Sequence, residues 1–245
     1  MKINRTVCFL GIVLIGIAGL AGADDVADNA MRVAIETQFD EQDIKNGGGP
    51  QVHVKDGVAT LSGNVKSLWM KRQAVELALE IDGVERVDDE LAIAFAENDD
   101  DVRKAIAKVV LRYPHFTIFD DVNIEVDNGT VRLTGRVTMP FKSNELDSRI
   151  SRVAGVQSLA NEIETLPINI NDQRIRADLV HRIYRDALFA RYAFRVNPPI
   201  HIIVERGRVA LTGAVTTEVE KRKAEIIARS TFGVFAVDNR LTVGT

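Results

Sequence analysis

The chain has one cysteine in 245 residues, and that one, Cys8, sits near its start. Beyond it there is no thiol to pair, to attack a substrate or to bind metal, so disulfides, thiolate catalysis and thiolate metal sites are excluded. Long apolar runs are also scarce. The longest, Val7 to Leu20, has the length of a signal-peptide core, and it is too short and too rich in small residues to read as a membrane span. Lys2 and Arg5 precede it, and Ala21-Gly22-Ala23 follows as an A-x-A cleavage signal. The reading predicts a signal peptide over residues 1–23, cleaved after Ala23, and a periplasmic product. The alternative is an uncleaved anchor. Cys8 follows no cleavage box, which argues against a lipoprotein.

The usual catalytic and cofactor patterns are missing too. There is no G-x-S-x-G, no phosphate-binding G-x-x-x-x-G-K-[ST] and no H-E-x-x-H. The four histidines, His53, His115, His181 and His201, show no metal-ligand spacing and hold different positions in the repeats described below. They read as surface or boundary residues. Gly47-Gly48-Gly49-Pro50 reads as a connection, because no helix start follows it to cradle a phosphate. The acidic run from Glu97 to Asp101 lacks the spaced ligands of a calcium loop and suits the start of a helix. No catalytic residue, cofactor or metal is therefore predicted.

What the chain does have is repetition. DGVATLSGNV at 56–65, NGTVRLTGRV at 128–137 and RGRVALTGAV at 206–215 are three versions of one hairpin. The turn glycines Gly57, Gly129 and Gly207 lie 72 and 78 residues apart. A second glycine follows six residues on (Gly63, Gly135, Gly213), on the inward face of its strand, where a missing side chain suits a bend or a closely packed helix, and a third lies twenty beyond that (Gly83, Gly155, Gly233). Before each turn, apolar residues alternate: Val52 and Val54, Ile124 and Val126, Ile202 and Val204. Asp-Gly and Asn-Gly are strong two-residue turns, because both central residues need positive φ, and Arg206-Gly207 is a weaker version.

Each hairpin is followed by helical spacing: Ala74, Ala78, Ile81; Leu146, Ile150, Val153; Ala224, Ala228, Thr231. Pro140 suits a first helical turn, and Thr217 with Glu220 suits a capping box. The third glycine is expected to cap each helix end, and a last strand begins at Val84, Val156 and Val234. Amphipathic helices are predicted ahead of the hairpins over Val26–Gln38, Asp100–Arg112 and Asp172–Ala190. The fold class is α+β: three tandem α-β-β-α-β units, each a three-stranded mixed sheet with two helices on one face. The helical crossover predicts parallel second and third strands. The predicted units are residues 24–96, 97–168 and 169–245, docked through short linkers.

The pattern V-x-x-G-x-V-x-L-x-G-x-V, carried by Val126, Gly129, Val131, Leu133, Gly135 and Val137, is followed by Gly155, Val156, Leu159, Asn161 and Ile163. With this element order, it resembles the BON domain. The third copy matches with Asn239, and the first departs with Asp89 at that position. The resemblance implies an exported, non-enzymatic module that binds phospholipid or other membrane surfaces, tied to osmotic and envelope stress. It brings no catalytic motif.

Charge gives one further lead. Residues 24–98 hold 7 basic and 16 acidic groups, and residues 171–245 hold 13 and 8, so the ends differ in sign. Much of the positive charge lies in the third leading segment: Arg174, Arg176, Arg182, Arg185, Arg191 and Arg195, beside Phe189, Tyr192 and Phe194. Of these, Arg174, Arg182, Arg185, Phe189, Arg191 and Tyr192 are the candidate contacts to an anionic lipid surface. The competing reading is a solvated helix face whose aromatics belong to the core. Nucleic acid is disfavoured by export, overall acidity and the lack of a G-x-x-G clamp. An envelope protein partner, held in a chaperone-like manner, is the alternative function. The sequence leaves the oligomeric state open.

Overall fold

The computed structural model describes residues 20–44, 49–93, 98–195 and 197–244. The predicted export run before Leu20, together with Gly47, Gly48 and Glu97, lies outside the described residues. The first repeat contains α1 (Leu20–Glu41), β1 (Gln51–Lys55), β2 (Val58–Val65), α2 (Leu68–Leu79) and β3 (Arg86–Ile93). The second contains α3 (Asp99–Leu111), β4 (Asp121–Asp127), β5 (Thr130–Val137), α4 (Pro140–Ile150) and β6 (Ser158–Thr165). The third contains α5 (Ile170–Tyr184), α6 (Ala190–Ala193), β7 (Ile200–Glu205), β8 (Arg208–Val215), α7 (Glu218–Arg229), β9 (Ala236–Asn239) and β10 (Thr242–Val243). The predicted α-β-β-α-β order holds in all three.

Each hairpin's second strand is the centre of its sheet. β4 runs antiparallel to β5, and β6 runs parallel to β5. The third repeat repeats this arrangement, with β9 and β10 both parallel to β8. The turn pairs Asp56-Gly57, Asn128-Gly129 and Arg206-Gly207 all have positive φ, as a two-residue primed turn requires.

Three details differ from the sequence reading. The third leading helix is broken, because Arg185 ends α5 and the Asp186 side chain accepts the Leu188 N–H, drawing the backbone out of helical pairing. The break lets Phe189 and Tyr192 drop into the core. The third glycine is not the helix cap: Ser151 and Ser230 cap α4 and α7, and one more turn follows before Gly155 and Gly233 redirect the chain. The second glycine faces backbone, not a helix. A Cβ on Gly135 would lie 2.1 Å from the Asp121 carbonyl oxygen, and one on Gly213 would lie 1.9 Å from that of Pro199.

The described residues form two compact units, up to Val65 with Lys71–Ala92, and Lys66–Met70 with Ile93 onward. In the first, Ile35 and Phe39 of α1 are buried, as are Ala59 and Leu61 of β2 and Ala74 and Ala78 of α2. In the second, two cores form. One gathers Ile106, Val131, Leu133 and Leu146, and the other Leu179, Ile202, Leu211 and Ala224. The second and third repeats are joined within this unit. The Ile202 N–H donates to the Ile118 carbonyl at 2.7 Å, and Thr212 Oγ1 donates to Asp121 at 2.9 Å. Arg136 pairs with Glu205 at 2.7 Å, and His201 Nδ1 lies 2.6 Å from the Asp120 carbonyl, its ring against Phe116.

Candidate functional site

The structure disperses the Arg-aromatic segment proposed from sequence. Phe189 and Tyr192 are 0% and 2% exposed and belong to the third-repeat core, so neither reaches a surface. This corrects their assignment as lipid contacts: the break after α5 turns both rings inward. Arg191 is engaged with Glu220, Thr216 and the Tyr192 hydroxyl. Glu220 is buried, which alone would raise its pKa, but the Thr216 N–H, the Tyr192 hydroxyl and Arg191 hold it below the ordinary glutamate value. The predicted capping box is thus half formed: Thr217 accepts the Glu220 N–H, while the Glu220 carboxylate turns toward this cluster. Arg182 donates to Ser230 O and Thr231 Oγ1 and so secures the end of α7. Arg185 is exposed at the end of α5, and Arg174 is exposed one turn from its start.

Arg174 leads to a different grouping. Asp172, in the first turn of α5, accepts the Arg206 and Gly207 N–H groups with its two carboxylate oxygens, at 2.7 and 2.8 Å. This clamp fixes the hairpin turn against the helix. The Phe235 N–H donates to the Gly207 carbonyl at 2.8 Å and brings the segment after α7 to the same corner. The result is a depression of about 550 Å³ whose walls include Arg174, Ile175, Arg206, Phe232, Gly233 and Phe235. Phe232 is 97% exposed and Phe235 85%. Ile168 and Ile170, on either side of the lining residue Asn169, are exposed as well.

The same clamp occurs twice more. Asp28 holds the Asp56-Gly57 turn and Asp99 holds the Asn128-Gly129 turn. The two N–H groups from Gly129 and Asn128 also lower the Asp99 pKa. The clamps align the three corners residue by residue. Where the third repeat has Phe232 and Phe235, the first has Asp82 and Glu85 and the second has Ala154 and Gln157. Where the third has Arg206, the others have Asp56 and Asn128. Arg206 holds φ at 50°, a left-handed conformation that Asn and Asp adopt more readily than arginine. Arginine at this position therefore costs more backbone strain than Asn or Asp would, and the Asp172 carboxylate holds it there.

The sequence reading missed Phe232, Phe235 and Arg206 as site residues. The signal was present in the columns beside Gly207 and Gly233, where only the third copy has aromatics and arginine. Among the described residues, no cluster of three or more histidine, cysteine, aspartate or glutamate side chains is placed to hold a metal ion. No described helix is long and apolar enough to cross a membrane. The corner instead presents two rings and two guanidinium groups to whatever lies outside.

The BON domain family model matches residues 19–94, 98–167 and 171–245. The chain belongs to the BON domain family. Across part of this BON chain, 145 residues are 26% identical to osmotically-inducible protein Y of Escherichia coli K12, covering 56% of the chain and 72% of the relative. Among solved structures, similarity is found to the C-terminal domain of CdsD, a type III secretion structural protein of Chlamydia trachomatis. Identity there is 16% and the TM-score 0.25, over 87% of this chain and 96% of CdsD's. The periplasmic domain of PrgH from S. typhimurium is 16% identical with a TM-score of 0.20, over 83% and 98% of the two chains. At these TM-scores neither likeness bears on the BON assignment or on the corner.

Proposed function

We propose that this BON protein is an exported, non-catalytic binding protein of the cell envelope that attaches to anionic phospholipid surfaces through the corner of its third repeat. Kinship with an osmotically inducible relative supports a part in the response to osmotic stress. The observation that carries the reading is the pair Phe232 and Phe235, almost fully exposed and flanked by Arg174 and Arg206. Burying one phenylalanine side chain contributes about 1.5–3 kcal/mol. Each arginine near an anionic surface adds about 1 kcal/mol at moderate salt. Two rings and two guanidinium groups together suffice for reversible attachment, and Arg185 extends the basic surface along α5.

The alternative is a protein partner bound by strand addition to a sheet edge. The outer edge of β7 is already filled: Ile118 accepts the Ile202 N–H, and Arg176 donates to the Val204 carbonyl at 2.6 Å. Glu162 and Glu164 lie on β6, the kind of charge that discourages edge pairing. These features favour the lipid reading.

Co-sedimentation of the chain from Asp24 onward with vesicles tests it. Binding is expected to anionic vesicles at low salt, to weaken at high salt and to be minor on zwitterionic vesicles. Phe232→Asp with Phe235→Glu, which gives the corner its first-repeat side chains, is expected to abolish binding without changing the unfolding temperature. Arg185→Glu is expected to weaken it only in part. Equal binding by the double variant, or binding indifferent to salt, would overturn the assignment.

A further inference from the structure

We infer that the third-repeat corner of one chain docks on the matching corner of the first repeat of a second copy. This goes beyond the lipid reading and stands independently of it. The first repeat carries a shallow groove of about 580 Å³ between the middle of α1 and the turn after α2. Its floor is Ala27, Ala30, Met31, Ala34 and Ile81. Its rim carries Glu80 and Asp82, with Asp56 and Glu85 on the same corner.

The clamps make the two corners equivalent. Asp28 corresponds to Asp172, so Ala30 corresponds to Arg174 and Met31 to Ile175, each of the latter pair lying against its own third glycine. One backbone framework is thus decorated in two complementary ways. In the first repeat the side chains are small and apolar inside an acidic rim. In the third they are large and aromatic beside arginines. Phe232 and Phe235 supply what an alanine-floored groove lacks, and Arg174 and Arg206 are opposite in charge to Asp82 and Glu80. The surrounding charge agrees: the segment holding the groove carries an excess of nine negative charges, and the segment holding the rings an excess of five positive ones. Such complementarity steers association and sets its register.

The two surfaces differ, so the contact is heterologous: each copy keeps one unused groove and one unused corner, and assembly proceeds past the dimer unless a ring closes. Anionic membrane and a second copy would compete for the same rings.

Sedimentation velocity of the chain from Asp24 onward, over a concentration series, is the test. At low salt the average mass is expected to rise with concentration beyond that of a dimer, and at high salt to return to that of the monomer. Two variants separate the surfaces. Phe232→Asp with Phe235→Glu removes the rings, and Ala30→Arg with Asp82→Arg blocks the groove; all four positions are exposed, so unchanged thermal unfolding is expected. Each variant alone should remain monomeric, and their equimolar mixture should form a one-to-one dimer and nothing larger. A monomeric wild type at every concentration, association indifferent to the groove variant, or failure of the mixture to pair would each overturn the proposal. The groove variant should still bind anionic vesicles, so loss of self-association and loss of lipid attachment are read separately.

Discussion

At the scale of single residues, the second and third repeats solve one problem with opposite charges. Three residues after the second glycine stands Thr138 or Thr216, and four further stands Lys142 or Glu220. Lys142 is buried against Asp120, with Nζ to carboxylate 2.7 Å, and both also bond Thr138. Glu220 is buried, pairs with the exposed Arg191 and accepts the Thr216 N–H. Burial works to raise the Asp120 pKa, but Lys142, Thr138 and Thr117 outweigh it, leaving the carboxyl below its ordinary value. A carboxyl depressed in the folded state contributes stability in full above the unfolded pKa near ~4 and loses it as pH falls through the folded value. The urea midpoint of the wild type should therefore fall on acidification below about pH 4, and less so in Asp120→Ala with Lys142→Met. Asp120→Ala alone strands a buried ammonium and should cost roughly 3–5 kcal/mol at neutral pH, more than the double variant. A steeper acid response in the double variant would contradict this account.

The last strands show how one substitution is absorbed. Asn161 and Asn239 each accept an N–H two residues on and donate to the preceding helix, at Ser143 or Lys221. Asp89 in the first repeat keeps the acceptor role toward the Leu91 N–H and replaces the donor with an ion pair to Lys71 at 3.1 Å. The departure from the family pattern therefore leaves the local geometry intact.

At the scale of elements, the hairpin and the helix behind it form wherever the glycine pattern allows, but one glycine column serves two purposes. All three second glycines have positive φ. At Gly63 the nearest atom to an added Cβ is 3.7 Å away, so Gly63→Ala meets only the backbone cost. At Gly213 the added carbon would overlap the Pro199 carbonyl, so the chain entering β7 must move. Gly63→Ala is expected to lower stability by about 1–2 kcal/mol, and Gly213→Ala by well over that, to the point of preventing the third repeat from folding. Circular dichroism during urea unfolding would rank them, and equal losses would show the overlap to be relieved. The sequence reading assigned this column to a bend or to a closely packed helix. The strands run on through these glycines, and at Gly135 and Gly213 the close neighbour is the carbonyl of the strand entry.

At the scale of the molecule, the second and third repeats act as one body because the loop before β4 lies along β7. His201, which read from the sequence as a surface or boundary residue, sits at that contact, half-buried on β7. Its conversion to alanine removes the bond to the Asp120 carbonyl and the tilted ring contact with Phe116. The loss should be about 1–3 kcal/mol. If the contact couples the two repeats, the variant's unfolding transition should also broaden, with a smaller slope in urea. An unchanged midpoint and slope would show the repeats to be held by their other contacts.

The sequence by itself determined the repeated unit, because turn glycines, alternating strand residues and helical spacing are local requirements that read out in order along the chain. It also determined the family and the opposed charge of the two ends. Tertiary structure alone decided which side chains are available to a partner. Phe189 and Phe232 are the same residue type, yet one fills a core and the other stands in solvent, because the break after α5 turns one inward and the third-glycine turn carries the other outward. The aspartate clamps were hidden for a related reason. Asp28, Asp99 and Asp172 precede their turns by 29, 30 and 35 residues, so no fixed spacing links them in sequence. Only the fold, by laying each leading helix against its hairpin, brings each carboxylate to the two N–H groups it holds.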